Sequence, residues 1–225
     1  MITLTSENAT AQIDSLLEKY PDLAITEASS SQIRLRGSIH VYRRAVGFTV
    51  NHDYNLELLI PIDSDQLPSV YETDNNFDVM YQHRYRDGKL CLETDTAIRL
   101  RFYEGIVLLE WMDEFVEPYF FSYEYYQRFG SFPFGERPHG FEGMLDTYKG
   151  QFHESNPKIV IQFLKHIAAH EYRGHQLCPC GSNEHLRNCH GKVLYPYMTD
   201  RRKQAIVSLD ITFWAEDIKR YDKTR

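Results

Sequence analysis

The sequence lacks the features of membrane, secreted and nucleic-acid-binding proteins. No apolar run approaches the roughly 18 residues that a bilayer-spanning helix needs. The first residues hold no basic segment ahead of an apolar one, so we expect no secretory signal. Cations are the minority charge, 25 Lys and Arg against 32 Asp and Glu, which argues against a general binder of nucleic acid or anionic lipid. We therefore expect a soluble, cytoplasmic protein without membrane or nucleic-acid partners.

The composition indicates a folded chain with a distinct C-terminal part. Hydrophobic residues make up 42% of the sequence and aromatic residues 14%, which suffices for a buried core. The length of 225 residues suits one domain of ordinary size with a small appendage. Residues 178–225 carry nine cations against six carboxylates, although the whole chain has a net charge of −7. This asymmetry favours a separate module at the C-terminal end.

The spacing of apolar residues changes from a helical to an alternating period in the first third of the chain. Helical spacing over residues 10–23 predicts an amphipathic helix. Alternation over residues 33–41, 46–50 and 56–60 predicts three short antiparallel strands, with a turn at residues 51–53 between the last two. Residues 67–71 begin a fourth extended piece. The pattern therefore predicts an antiparallel four-stranded meander after an N-terminal helix.

The remainder of the chain predicts loops and helices. A loop is expected from about residue 78 to 96, followed by a helix over 98–126 that Pro118 kinks or divides. Asn156 and Pro157 are typical of an N-cap and a first helical position. A last helix is expected over residues 200–221. Strands followed by helices in this order predict the α+β fold class.

Three of the four cysteines lie within twelve residues and predict a metal site. Cys178, Cys180 and Cys189 are followed directly by His190, which gives Cys-x-Cys-x8-Cys-His. Zinc takes four nitrogen or sulfur ligands in a tetrahedron, and clustered Cys and His without a secretory signal favour metal over disulfides. We expect Ser182 to cap a short helix that returns the last two ligands. Four protein ligands leave no open position, so the predicted zinc is structural rather than catalytic.

The string Cys-Pro-Cys-Gly-Ser, completed by Cys189 and His190, resembles the SEC-C family of small zinc-binding modules. The resemblance implies a protein–protein docking element as one role. His166, His170 and His175 precede the motif, and His170-Glu171 invites comparison with metalloproteases. Because the next histidine follows at five residues instead of four, we reject a peptidase and expect surface or packing histidines.

The fourth cysteine, Cys91, stands alone in a loop with several ionisable residues. Gly88 precedes it by three positions and Leu92 follows it. Arg84, Arg86 and Lys89 are close in sequence, and nearby cations favour the thiolate form that acts as a nucleophile. A lone cysteine between two leucines is also typical of a small buried hydrophobe.

The helix, the meander and the Gly-x-x-Cys-Leu loop resemble the ubiquitin-conjugating enzymes. The resemblance implies that Cys91 forms a thioester with the C-terminus of a partner protein and passes the acyl group to an amine, usually of a lysine. It places His83 at the site. Holding or deprotonating the attacking amine calls for a nearby carboxylate, for which Asp87, Glu93 and Asp95 are the candidates in the sequence. Here His83-Arg84-Tyr85 replaces the family's His-Pro-Asn, eight instead of ten residues before the cysteine, so the asparagine that supports the oxyanion has no equivalent.

The string His-x-Tyr-x-Asp-Gly-x-Leu-Cys-Leu is most similar to divergent bacterial relatives in anti-phage signalling operons of the CBASS type. That resemblance implies a cGAS-like nucleotidyltransferase as protein substrate and leaves the need for an activating enzyme open. Two other functions remain open. The chain can be a non-catalytic adaptor that docks through its zinc module, which the missing asparagine favours, or, as the weakest alternative, a zinc hydrolase.

The predicted organisation has four parts. They are a ubiquitin-conjugating-like domain over 1–155, a connecting helix over 156–177, the zinc motif over 178–191 and a helical tail over 192–225.

Overall fold

The computed structural model describes residues 4–74 and 81–223. Their elements confirm the α+β class, with an N-terminal helix, a four-stranded antiparallel sheet and C-terminal helices. Two compact units alternate along the chain. We call Ile2–Glu93 with Gly105–Glu136 the sheet unit, and Thr94–Glu104 with Arg137–Arg225 the helical unit. The predicted division into four parts stays a prediction.

The sheet unit contains one sheet and the helices that cover it. Its elements are α1 (Ser6–Lys19), β1 (Leu23–Ala28), β2 (Gln32–Ala45), β3 (Phe48–Pro61), β4 (Ser69–Glu72), α3 (Leu108–Trp111), a π-helical turn (Met112–Val116) and α4 (Glu117–Phe129). The strands pair antiparallel in the order β1-β2-β3-β4, as a meander. Residues of β3 alternate between buried and exposed, which is how a sheet with one solvated face is built.

The predicted turn at residues 51–53 is wrong. These residues lie inside β3 and pair with His40, Val41 and Tyr42 of β2 in one long hairpin. The chain turns instead at Val46 and Gly47, which both have positive φ, as the type I′ turn of a two-residue hairpin requires. β1 is a further strand that the alternation did not indicate.

The predicted single helix over 98–126 is also wrong. Gly105, with φ of 139°, lies between α2 (Asp95–Arg101) and α3 in a conformation that only glycine adopts without cost. Pro118 is the second residue of α4 and follows the π-helical turn closely. The stretch is therefore broken between α2 and α3, whereas α3, the π-helical turn and α4 follow one another without a gap, and α2 belongs to the helical unit.

A buried carboxylate ties α4 to the rest of the sheet unit. Glu117 accepts hydrogen bonds from the Tyr20 hydroxyl at 2.7 Å and from Arg43 Nε at 3.2 Å. Burial and the carboxylate together raise the pKa of Tyr20, which keeps the phenol a donor. These contacts fix the start of α4, the helix that carries the tyrosines discussed below.

The helical unit packs six helices around one apolar core. They are α2 (Asp95–Arg101), α5 (Gly140–Phe152), α6 (Pro157–Ala169), α7 (Gly191–Thr199), α8 (Arg201–Phe213) and α9 (Ala215–Lys223). The predicted start of α6 is confirmed, since the Asn156 side chain accepts a hydrogen bond from the Lys158 amide at 3.0 Å. The predicted helix over 200–221 is two helices with a break at Trp214. In the described ranges, no helix combines the length and apolarity that crossing a membrane requires.

Asp210 is a buried carboxylate in this core and allows a test of the packing. Its Oδ2 accepts hydrogen bonds from the Tyr148 hydroxyl at 2.7 Å and from Thr96 Oγ1 at 3.0 Å. We expect Asp210→Ala to destabilise the protein by about 1–3 kcal/mol for each hydroxyl left without an acceptor. Chemical denaturation at pH 7 measures this, with the exposed Asp222→Ala as the control.

Asp210 also predicts a pH effect, because burial raises the pKa of its carboxyl above the ordinary value. A carboxyl with a raised folded-state pKa stabilises the fold below its unfolded pKa and loses that contribution as the pH rises through the folded pKa. Asp210→Asn keeps the acceptor oxygen and removes the titration. The ordinary pKa of an aspartate, which applies in the unfolded chain, is about 3.9. As the pH rises above about 4, we therefore expect the free energy of unfolding to decline less in the variant than in the parent. Identical pH profiles would contradict the expectation.

Candidate functional site

Cys91 ends a tight hairpin that runs from residue 83. An isolated antiparallel bridge joins Arg84 to Leu90, and the Tyr85 amide donates to the Lys89 carbonyl at 2.8 Å. The Cys91 amide donates to the His83 carbonyl, also at 2.8 Å. Gly88 has φ of 89°, so glycine is required at this turn. The backbone therefore holds the two ends of the hairpin side by side.

The hairpin is anchored to β4 and leaves the thiol partly exposed. Leu90 is 1% exposed, and its amide donates to the Val70 carbonyl at 2.8 Å. Cys91, the next residue, is partly exposed. Neighbouring side chains of an extended segment point to opposite sides, so burying Leu90 in the core directs the Cys91 side chain away from it.

His83 is brought to the thiol by the same backbone pairing. A ring nitrogen of His83 lies within 4.8 Å of Cys91 Sγ. The ring packs edge-on against Phe132 at 4.8 Å between centroids, and the Tyr81 ring contacts it at 5.5 Å with the two planes tilted by 52°. These contacts restrict the rotation of the imidazole. A thiol with a fixed imidazole beside it is the minimal arrangement for an activated sulfur nucleophile.

A cluster of tyrosines packs next to His83 and Cys91. Tyr119, Tyr123 and Tyr126 of α4 each contact the ring of Tyr81. Burial, and in second place the electrostatic influence of neighbouring tyrosines and of Cys91, raise the pKa of Tyr81 and of Tyr119. The phenols are therefore neutral donors, and the Tyr119 hydroxyl donates to the His83 carbonyl at 3.1 Å. Sequence reasoning missed these residues, although the spacing i, i+4, i+7 places the three on one face of a helix.

We expect Tyr119→Phe to loosen the hairpin without altering its chemistry. The substitution removes one of two donors to the His83 carbonyl, and a hydrogen bond of this kind contributes about 1 kcal/mol, or about a fivefold change in opening. Hydrogen exchange of the amides of residues 83–91 measures the effect. The exposed Tyr42→Phe is the control, and equal exchange in all three proteins would contradict the role.

Asp87 lies at the exposed tip of the hairpin. Its Oδ1 accepts a hydrogen bond from the Lys89 amide at 3.0 Å, which is the usual contact of an aspartate in a turn. Its role towards an incoming amine stays a prediction. Arg84, Arg86 and Lys89 lie on the same hairpin, as expected from their positions, and Lys89 Nζ sits 5.6 Å above the ring of Tyr85.

The structure brings the four predicted metal ligands together. The sulfurs of Cys178, Cys180 and Cys189 and a ring nitrogen of His190 all lie within 4.8 Å of one another. Cys180 Sγ is 3.6 Å from Cys189 Sγ, and His190 Nδ1 is 3.1 Å from Cys189 Sγ and 3.3 Å from Cys178 Sγ. Tetrahedral zinc with ordinary bond lengths gives edges of about 3.8 Å between sulfurs and about 3.6 Å between sulfur and nitrogen. The donor set and spacing therefore fit zinc.

The local fold explains the convergence of these ligands. The Cys178 amide donates to the Glu184 carbonyl at 2.8 Å, and the Leu186 amide donates to the Gln176 carbonyl at 2.7 Å. Gly191 begins α7, and a Cβ there would lie 2.5 Å from the Leu186 carbonyl, so only glycine fits behind His190. The His190 ring packs on Phe163 of α6 at 4.8 Å, which joins the site to the core of the helical unit.

The short helix of the motif is Leu186–Asn188, and the predicted cap is wrong. Ser182 does not cap this helix; its hydroxyl instead lies 3.4 Å from Cys189 Sγ and accepts from the Glu184 amide at 3.3 Å. The helix begins too far along the chain for Ser182 to reach its amides. Polar contacts to ligand sulfurs of this kind stabilise thiolates around a bound metal.

Without a bound cation, the thiols of Cys178 and Cys180 have pKa values shifted in opposite directions. Burial raises the pKa of the Cys178 thiol to about 12. For Cys180, burial also acts upward, but hydrogen bonds from Ser182 and the neighbouring thiols outweigh it and lower the pKa to about 6. A divalent cation supplies the charge that lets all three sulfurs be thiolates together. His166, His170 and His175 are not members of this cluster, and His170 and His175 are exposed.

No family model matches the chain, no curated protein matches it, and no solved structure matches it.

Proposed function

We propose that the protein is an acyl carrier that forms a thioester at Cys91, with a fold like that of the ubiquitin-conjugating enzymes. The observation that carries the proposal is a partly exposed thiol within 4.8 Å of an imidazole whose ring is held by aromatic contacts. The meander, the preceding helix and the Gly-x-x-Cys-Leu hairpin on β4 support it as well.

The first half of the proposed reaction loads the carrier. His83 takes the proton of the Cys91 thiol, and the thiolate attacks the carbonyl carbon of an activated C-terminal carboxyl group. The bond between carbon and sulfur forms, the bond to the leaving group breaks, and His83 returns the proton to that group. Separations of a few ångströms in a free enzyme shorten when the substrate is bound.

The second half unloads it. An amine attacks the thioester carbonyl, the amide bond forms, and the sulfur of Cys91 leaves as a thiolate. The amine gives up a proton to a carboxylate, for which Asp87 is our candidate. The step is favourable because a thioester is a better acyl donor than an amide.

The zinc site has a structural role in this proposal. Cys178, Cys180, Cys189 and His190 would hold a zinc ion that stabilises the helical unit, and four protein ligands leave it no position for a water nucleophile. Following the resemblance, we propose a protein substrate, with a cGAS-like nucleotidyltransferase in anti-phage defence as the first candidate. An activating enzyme is the further partner that the first half-reaction calls for when the carboxyl is not already activated.

A peptide with a C-terminal thioester tests the proposal without knowledge of the natural donor. We expect the wild-type protein to gain the mass of the peptide thioester minus that of the released thiol, and to lose this added mass on treatment with hydroxylamine. Cys91→Ser should form a hydroxylamine-resistant ester more slowly, and Cys91→Ala should gain nothing. An adduct that still forms in Cys91→Ala would contradict the proposal. A folded wild-type protein that stays unmodified would favour the adaptor function.

A further inference from the structure

The hairpin that presents Cys91 carries a charge opposite to that of the chain. Residues 84–89 hold three cations and one carboxylate, whereas the chain has a net charge of −7. Arg86 is exposed at the tip, and Arg84 and Lys89 are partly exposed on its two arms. A positive tip on a negative protein gives the surface beside the thiol a local field that favours anions.

Within the described residues, no carboxylate forms an ion pair with these three cations. The carboxylate among them, Asp87, accepts a hydrogen bond from the Lys89 amide in the turn. Tyr85 is 50% exposed under the Lys89 ammonium and adds a ring to the same surface.

We propose that residues 84–89 bind the acidic C-terminal tail of the protein whose carboxyl group is loaded on Cys91. This inference rests on the proposed function and names its substrate class. An extended peptide advances about 3.3 Å per residue, and the hairpin tip lies about four residues from Cys91. A tail whose terminal carboxyl reaches Cys91 therefore passes the tip about three or four positions before its last residue, which is where we expect acidic side chains. The guanidinium groups of Arg84 and Arg86 pair with carboxylates in bidentate geometry.

A peptide fits this surface better than a nucleic acid does. The positive patch is confined to one hairpin tip, whereas nucleic-acid sites usually follow the phosphate backbone with a longer basic stripe. The negative net charge of the chain opposes a long polyanion but matters less for a short tail held at the tip.

Binding and acylation are measured separately. Fluorescent ten-residue peptides ending in glycine, with either three glutamates or three glutamines at the positions before it, are titrated by anisotropy at low salt. The same sequences as C-terminal thioesters give the rate of Cys91 acylation. The variants are Arg86→Gln/Lys89→Gln, the charge reversal Arg86→Glu/Lys89→Glu, and the control Arg44→Gln. Arg44 pairs with Thr49 of β3, and the part of β3 that pairs with β4 lies about 25 Å further along the strand. Arg44 is therefore distant from the hairpin, which is anchored to β4.

We expect the glutamate peptide to bind about tenfold more tightly than the glutamine peptide, since each exposed pair contributes a factor of about two to five. Arg86→Gln/Lys89→Gln should remove the preference, Arg44→Gln should keep it, and the charge reversal should shift it to a lysine-rich peptide. Salt should weaken binding of the glutamate peptide alone.

Equal binding of both peptides by wild type, or a preference unaffected by the charge reversal, overturns the inference. Tighter binding of a ten-nucleotide single-stranded DNA than of the glutamate peptide overturns it as well. Acylation of Cys91 without a preference refutes the acidic tail and leaves the thioester carrier standing. A preference in binding without any acylation supports the acidic surface and refutes the carrier.

Discussion

Cys180→Ser is expected to release the zinc ion and to destabilise the helical unit by several kcal/mol. Cys180 is partly exposed, so the loss reports on the metal more than on packing. Structural zinc in small sites contributes about 10–16 kcal/mol of apparent binding free energy at pH 7, and part of it is folding free energy. His190 packs on Phe163, and Cys178 and Leu186 are core residues, so the loosening should spread to α6 and α7.

Metal analysis and thermal unfolding measure this effect. We expect one zinc per chain in the wild-type protein, almost none in Cys180→Ser, and a lower melting temperature for the variant. Cys91→Ser is the matched control, because it replaces the one cysteine outside the cluster and should keep both zinc and stability. Chelation of the wild type should reproduce the variant and zinc should reverse it. Unchanged zinc content and melting temperature in Cys180→Ser would refute the site.

His83→Gln is expected to slow acylation of Cys91 by about 10²–10⁴-fold at pH 7, the usual range for loss of a general base. Glutamine keeps a polar side chain of similar length and cannot take the thiol proton. Above the ordinary thiol pKa of about 8.5 the difference should shrink, because the thiol ionises without assistance. The rate constants with the peptide thioester at several pH values measure both effects.

The control for this prediction is His52→Gln, an exposed histidine in β3 that packs on Tyr54. It should leave the rate unchanged. Equal rates for His83→Gln and wild type across the pH range would show that the imidazole has no part in activating the thiol. If Cys91→Ala also kept the full activity of the protein in cells, this result would support the adaptor function.

Local patterns predicted the parts of the structure that depend on neighbours in sequence. The ligand set of the metal site lies within thirteen residues, so the turn chemistry alone brings it together. Asn156 and Pro157 marked the start of α6 because capping is a matter of adjacent residues. The alternation of Leu56, Leu58 and Ile60 followed from one buried face of the sheet.

Where pairing between strands or tertiary packing determines the structure, the sequence patterns were misleading. Residues 51–53 have the composition of a turn, yet their partners in β2 hold them in a strand. β1 has a single buried residue, Leu23, so its sequence carries no alternation. The tyrosines of α4 meet the hairpin only through tertiary packing, and the sequence between them and Cys91 gives no sign of this contact.

The proximity of His83 to Cys91 is a further case of long-range placement. The sequence gives their separation of eight residues, but whether they meet depends on the bridge between Arg84 and Leu90. That bridge in turn requires the turn at Gly88 and the anchoring of Leu90 to Val70. The pair therefore depends on one hairpin and its attachment to β4.

The most direct test locates the acyl group after incubation with the peptide thioester. Proteolysis and tandem mass spectrometry of the modified protein identify the residue that carries it. We expect the acyl mass on Cys91 alone, with the cysteines of the zinc cluster unmodified in the metal-loaded protein. Acyl groups on Cys180 or Cys189 instead, or spread over surface lysines with Cys91 free, would contradict this expectation.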